Sequence, residues 1–131
     1  GILTKEDAAL AVEHGADGVI VSNHGGRQLD GAPSTIAALA RAIKGRAKVL
    51  FDGGIRRGQD IVKAMALGAD ACLLGRAYAY GLAASGQSGV ARAIEILEGE
   101  MRATMALLGR RGLDELDASV IVEPDAPHWL T

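Results

Sequence analysis

Apolar positions along the chain alternate between two periods, and the alternation predicts helices and strands in turn. Thr4-Lys5-Glu6-Asp7 is a capping pattern that opens a helix running to His14, with Gly15 where a C′ glycine belongs. Gly18-Val19-Ile20-Val21-Ser22 is a short, continuously apolar run, the pattern of a strand buried on both faces. Pro33 and Ser34 start a second helix, with Ile36, Leu39, Ala40 and Ile43 on one face. Lys48-Val49-Leu50-Phe51 forms the second strand, broken by Asp52-Gly53-Gly54. A third helix from about Gly58 to Leu67 stops at Gly68, and Ala71-Cys72-Leu73-Leu74 is the third strand, ended by Gly75-Arg76. Two helices follow, about Ala77 to Ala84 and about Ser88 to Leu108, separated by Ser85-Gly86. The longer one carries Val90, Ile94, Leu97, Met101, Met105 and Leu108 at helical period, with Gly109 as its C′ residue. The tail from Gly112 onward has one apolar triplet, Val120-Ile121-Val122, then Pro124 and Pro127, and reads as extended and surface-lying.

Gly15-Ala16-Asp17 and Gly68-Ala69-Asp70 are an internal echo. Each closes a helix and launches a buried strand, the mark of a repeated βα unit. Doubly wound sheets and (β/α)8 barrels are built this way. A full barrel takes about 250 residues, so three strands predict an α/β portion of a TIM barrel: about three βα units plus a C-terminal helix. Residues 1–131 then form the C-terminal part of a single domain, with 110–131 as its tail.

Composition narrows the class. The chain has 131 residues, and 18 glycines beside 3% aromatics predict a core of Ala, Val, Ile and Leu. A net charge of −2, with no basic run, argues against a nucleic-acid surface. No apolar stretch reaches the roughly 20 residues of a membrane span, and no signal peptide is visible. The single cysteine, Cys72, excludes an internal disulfide framework, reads as an inert core residue, and fits a reducing cytoplasm. No His, Cys and Asp cluster has metal-ligand spacing, so no metal is expected.

In a parallel α/β fold, chemistry gathers at the C-terminal ends of the strands. All three polar, Gly-rich segments fall there: Ser22 to Asp30, Asp52 to Gly58, and Gly75-Arg76. The second and third read as a phosphate site. Glycines let main-chain N–H groups approach an anion, the following helix N-terminus adds a favourable dipole, and Arg56 and Arg76 supply charge. The first reads as a base beside a carboxylate clamp. His24 is the imidazole and Arg27 the guanidinium, a pair suited to a 2-hydroxy acid. The bland alternatives are tight turns with solvated arginines and a surface histidine. His14 and His128 take that plain reading, Trp129 reads as a packing or interface residue, and Asp30 with Asp52 are candidate paired acids.

Ser22-Asn23-His24-Gly25-Gly26-Arg27-Gln28-Leu29-Asp30, Asp52-Gly53-Gly54-Ile55-Arg56-Arg57-Gly58 and Leu74-Gly75-Arg76 together resemble the FMN-dependent 2-hydroxy-acid oxidases and dehydrogenases. This family includes glycolate oxidase, lactate oxidase and dehydrogenase, and mandelate dehydrogenase. The resemblance implies oxidation of a small 2-hydroxy acid to a 2-oxo acid by hydride transfer to FMN. It assigns His24 as the active-site base and Arg27 as the substrate-carboxylate clamp. It places Ser22 at the flavin ring and Asp52 on the ribityl chain. Gly53, Gly54, Arg56, Gly75 and Arg76 would surround the FMN phosphate. It also implies a front part of the barrel ahead of Gly1, including a lysine just before Gly1, an acid that pairs with the histidine, a second arginine and tyrosines. A tetrameric homo-oligomer is a further implication, with membrane association through a segment outside this chain left open. Two other readings stand beside it: a different phosphate-gripping barrel such as an isomerase, and a phosphate- or FMN-binding half-barrel without activity of its own.

Overall fold

The computed structural model describes residues 1–36 and 45–122. Helix α1 (Lys5–Glu13) leads into strand β1 (Gly18–Val21), then β2 (Lys48–Asp52), α2 (Gly58–Ala66), β3 (Ala71–Leu73) and α3 (Arg76–Leu107). Thr4 caps α1 through its Oγ1, which accepts the Asp7 N–H at 3.1 Å. The helix predicted from Pro33 begins at Thr35 and Ile36; its remaining apolar positions, Leu39, Ala40 and Ile43, lie outside the described residues, as do His128 and Trp129.

The sheet is parallel, in the order β1-β2-β3. Residues 1–3 extend it, because Ile2 bridges Val21 in parallel and exchanges main-chain bonds with Ile20 and Ser22. The sequence pattern gave no sign of this fourth lane. Gly1 is held by close approach, since a Cβ there would sit 1.9 Å from the Ser22 carbonyl oxygen.

Register divides the strand residues between two faces. Val19, Val21, Val49 and Phe51 face the helices and are buried with Ala8, Ile55, Ala64 and Ala69. Cys72, the register partner of Phe51, packs on the same cluster. The opposite face carries Ile20, Leu50 and Leu73, and the burial on both sides that the apolar runs predict is met on the helix-facing side. Ile20 is 47% exposed and Leu73 37%, because no described element covers them.

The glycine echo has a shared geometry. Gly15 and Gly68 take φ values of +91° and +105°. Gly15 and Ala16 donate to Val12 and Ala11, while Gly68 and Ala69 donate to Met65 and Ala64. The two helix endings are therefore the same capping motif, displaced by one repeat of two units.

The two helices predicted for the C-terminal region are present as the arms of α3, divided where Ser85 and Gly86 leave helical geometry. The arms meet at Gly81 and Gly89, where a Cβ on Gly89 would lie 1.9 Å from the Gly81 carbonyl oxygen. In the second arm Leu97 and Met105 are buried, whereas Ile94 and Leu108 stay exposed. The tail, expected on the surface, returns through 3-10 turns at Leu113–Glu115 and Ala118–Val120 and packs inward. Leu116 joins Val62, Ala66 and Met105 in a second apolar cluster, with Val120 and Ile121 against it. Hydrophobic drive overrode the polar, proline-bearing context of the segment.

At the other end of the sheet, Asp70 accepts from Lys48 Nζ and from the Val49 N–H, both at 2.8 Å. The hydrogen bond from Lys48, then that from Val49, hold its carboxyl below the ordinary value of 3.8. Its bond to Asp70 holds Lys48 above the ordinary 10.5. Both groups are solvated, so their contribution is small. Its sign is fixed, however. The Asp70 contribution is present above pH 3.8 and is lost as pH falls through the lowered native value. Asp70→Asn is expected to flatten part of the acid limb of a urea-midpoint-against-pH curve while leaving the neutral plateau slightly lower. Burial pushes the Cys72 thiol up to about 11. Iodoacetamide is therefore expected to label the native protein slowly at pH 8 and rapidly in urea, as read by mass spectrometry.

Candidate active site

The C-terminal ends of β1, β2 and β3 open into one cleft of about 780 Å³, within the range of small-molecule sites. His24, Arg27, Asp52, Gly53, Gly54, Arg56, Gly75 and Arg76 all line it. Eight of the nine predicted site residues are thus brought together from three separate loops. The ninth, Ser22, is not on the wall. It is 4% exposed and lies beneath the cleft.

Within this chain Ser22 ties two strand ends together. Parallel register places it abreast of Asp52, and its hydroxyl donates to Asp52 Oδ2 at 2.5 Å. The Ser22 Oγ also accepts the main-chain N–H of His24 at 3.0 Å. One hydroxyl therefore ties the ends of β1 and β2 to the backbone of the histidine. His24 needs the tie, because its φ is +54°, the one positive value for a non-glycine among the described residues. Gly25 and Gly26 continue in the left-handed region at +68° and +71°, so the chain doubles back and lifts His24 and Arg27 over the strand ends. Strain of this kind persists where surrounding contacts enforce it. The imidazole Nε2 lies 3.2 Å from the Gly1 nitrogen.

Asp30 and Asp52 are not a pair. Asp30 accepts from the Gly31 N–H, and Asp52 is engaged by Ser22. Among the described residues, no group of three His, Cys, Asp or Glu could hold a metal.

The two candidate anion loops differ. At the start of α2, Asp60 Oδ2 accepts the N–H groups of Arg56 and Arg57 at 2.9 and 3.0 Å. Glu100 reaches across from α3 to accept the Gly58 N–H at 2.8 Å. This helix N-terminus is already neutralised by the protein's own carboxylates, which corrects the expectation that its dipole serves a phosphate. The start of α3 is open instead. It has no side-chain cap and no acid in its first turn. Cβ atoms built on Gly54 and Gly75 would meet nothing within 4 Å, so main chain borders the cleft directly. Free first-turn amides, bare glycine backbone and the guanidinium groups of Arg56 and Arg76 suit a phosphate ester. The FMN phosphate implied by the motifs therefore fits the residues present, at the start of α3 rather than α2.

Tyr78 and Tyr80 also line the cleft, exposed by 44% and 71%. Their signal was position: both follow Gly75-Arg76 in the first turns of a helix that begins at the cleft. Among the described residues no helix is long and apolar enough to cross a membrane.

Residues 1–123 match the family described as FMN-dependent dehydrogenase. An L-lactate dehydrogenase of Chromohalobacter salexigens is 53% identical over 129 residues, covering 96% of this chain and 33% of that protein. A peroxisomal (S)-2-hydroxyacid oxidase of Arabidopsis thaliana is 56% identical over 119 residues, covering 88% of this chain and 33% of that protein. The chain thus spans about a third of the length of these relatives. Among solved structures, an active chimera of (S)-mandelate dehydrogenase superposes with a TM-score of 0.87 at 50% identity, over 91% of this chain and 34% of that one. A mandelate oxidase variant carrying a monooxide FMN adduct superposes with a TM-score of 0.83 at 51% identity, over 87% and 37%. The βα units described above are a portion of a (β/α)8 barrel, and the chain belongs to the FMN-dependent dehydrogenase family.

Proposed function

We propose that this chain supplies the base, the carboxylate clamp and the phosphate site of an FMN-dependent enzyme that oxidises a small 2-hydroxy acid to a 2-oxo acid. The observation that carries the proposal is the convergence of His24, Arg27, Arg56 and Arg76 on one cleft at the strand ends. Arg27 grips the substrate carboxylate through paired N–H donors. The His24 imidazole takes the proton of the 2-hydroxyl as the carbonyl forms. When bound, FMN supplies the two-electron acceptor. Asp52, held by Ser22, would accept from the ribityl hydroxyls of bound FMN. Gly53, Gly54, Gly75 and Arg76 would hold its phosphate, with Arg56 beside them.

The open sheet face formed by Ile20, Leu50 and Leu73 belongs to the same reading. We infer that the rest of the barrel, in the same polypeptide or a second one, covers it and completes the cleft. A homo-oligomer, as the resemblance implies, and a cytoplasmic location, as the single cysteine suggests, complete the proposal.

The decisive experiment is an anaerobic visible spectrum of the purified flavoprotein, before and after addition of lactate, glycolate or mandelate. Flavin bands that bleach with one of them support the reading. Flavin that persists with a broad panel of 2-hydroxy acids would reduce the protein to a flavin binder, and a colourless sample would overturn the cofactor. In the active enzyme, His24→Gln is expected to lower kcat by about 10²- to 10⁴-fold, the usual loss for a general base. Arg27→Met is expected to raise KM about 10- to 100-fold, in line with roughly 1.5–3 kcal/mol for charged hydrogen bonds. Steady-state kinetics on both variants separates the two roles.

A further inference from the structure

Asn23 and Thr35 stand at the two feet of the loop that carries His24 and Arg27, and neither lines the cleft. Asn23 Nδ2 donates to the Pro33 carbonyl at 3.2 Å, closing the loop on itself. The other end of the amide faces Gly53. A Cβ on Gly53 would lie 3.0 Å from Asn23 Oδ1 and 2.9 Å from Thr35 Oγ1. Both feet of the loop therefore press into the space that Gly53 leaves by having no side chain. Thr35 is 3% exposed, and its hydroxyl has no hydrogen-bond partner among the described residues. Buried hydroxyls are rarely kept in that state for packing alone. Gly53 is a fixed point for this contact. It follows Asp52, which Ser22 ties to β1, and its φ of +95° leaves little freedom for any other residue.

We propose that Asn23 and Thr35 are positioning residues, which seat the loop on Gly53 and so set the placement of the His24 imidazole and the Arg27 guanidinium over the strand ends. The inference rests on the roles given to those two side chains above. It gives Gly53 a task separate from the phosphate: it is the socket of the loop.

Two substitutions reach the socket from opposite sides. Asn23→Asp keeps the shape but turns the donor toward Pro33 into an acceptor, and Gly53→Ala fills the socket. In the flavin-loaded enzyme, both are expected to speed amide hydrogen exchange of residues 23–34 at least tenfold, with α1 unchanged as internal reference. Asn23→Asp is also expected to lower kcat/KM at least tenfold while the flavin spectrum and occupancy stay at the wild-type level. Wild-type exchange over residues 23–34 in both variants would overturn the proposal. So would faster exchange with kcat and KM both within twofold of wild type, because the contact would then be structural only. If Asn23→Asp fails to fold, Gly53→Ala carries the exchange test. The exchange readout needs no substrate. An enzyme whose flavin no 2-hydroxy acid reduces would defeat the functional reading, and exchange would still decide the seating.

Discussion

The hydrogen bond between Ser22 and Asp52 is the interaction on which the site depends. It exists because β1 and β2 run parallel in a register that pairs Val21 with Phe51, which brings Ser22, just past β1, abreast of Asp52. A slip of one residue in β1 would turn its side chains to the other face. Val21 would leave the core while Phe51 stayed, and Ser22 would point away from Asp52. The buried apolar row thus enforces the polar contact above it. In turn, the Ser22 hydroxyl is satisfied on both sides, donating to Asp52 and accepting from the His24 N–H. A left-handed conformation at a non-glycine residue costs about 1–3 kcal/mol. The anchored N–H and the two glycines that follow keep His24 in it. Core packing, strand register and the placement of the histidine form one chain of dependence.

Much of this was legible in the residues themselves. Capping glycines, short apolar runs and the repeated Gly-Ala-Asp marked the βα units, because those signals are local and set by backbone geometry. Eight of the nine candidate site residues line one cleft because polar, Gly-rich segments at neighbouring strand ends converge in a parallel fold. The misses are contacts between distant residues. Glu100 closes the start of α2 from 42 positions away, and no spacing rule points to it. The bond from Ser22 to Asp52 depends on strand register, which the motif does not show. Ile2 adds a lane to the sheet through a single bridge, too short to leave a period. Leu116 was misjudged because its neighbours are polar, and burial there is decided by the apolar surface of Val62, Ala66 and Met105.

The open face of the sheet follows from the same logic. Ile20, Leu50 and Leu73 have the composition of an interior, yet two of the three are more than a third exposed. Apolar side chains in a row on a parallel sheet are stable only when another layer lies on them. A chain that spans about a third of its relatives carries that requirement in its own residues.

The two helix N-termini beside the cleft show how one fold divides similar resources. Both α2 and α3 begin just past a glycine-bearing strand end, and both offer uncompensated amides. In α2 those amides are needed inside the protein. The helix crosses α3 at Gly58, where a Cβ would lie 2.2 Å from the Met101 nitrogen and 2.4 Å from the Leu97 carbonyl oxygen. So close a crossing buries the Gly58 N–H away from water, and a buried amide without a partner is costly. Glu100, one residue before Met101 on the crossing helix, meets that need, and Asp60 takes the two amides before it. The helix that had to be packed could not also hold a ligand. Helix α3 starts at the rim, with Tyr78 and Tyr80 in its opening turns and no acid near its first amides. Its first amides meet neither a side-chain cap nor an acid of their own turn. The choice between the two was made by the packing of α2 on α3, and the chemistry of the cleft took what the packing left.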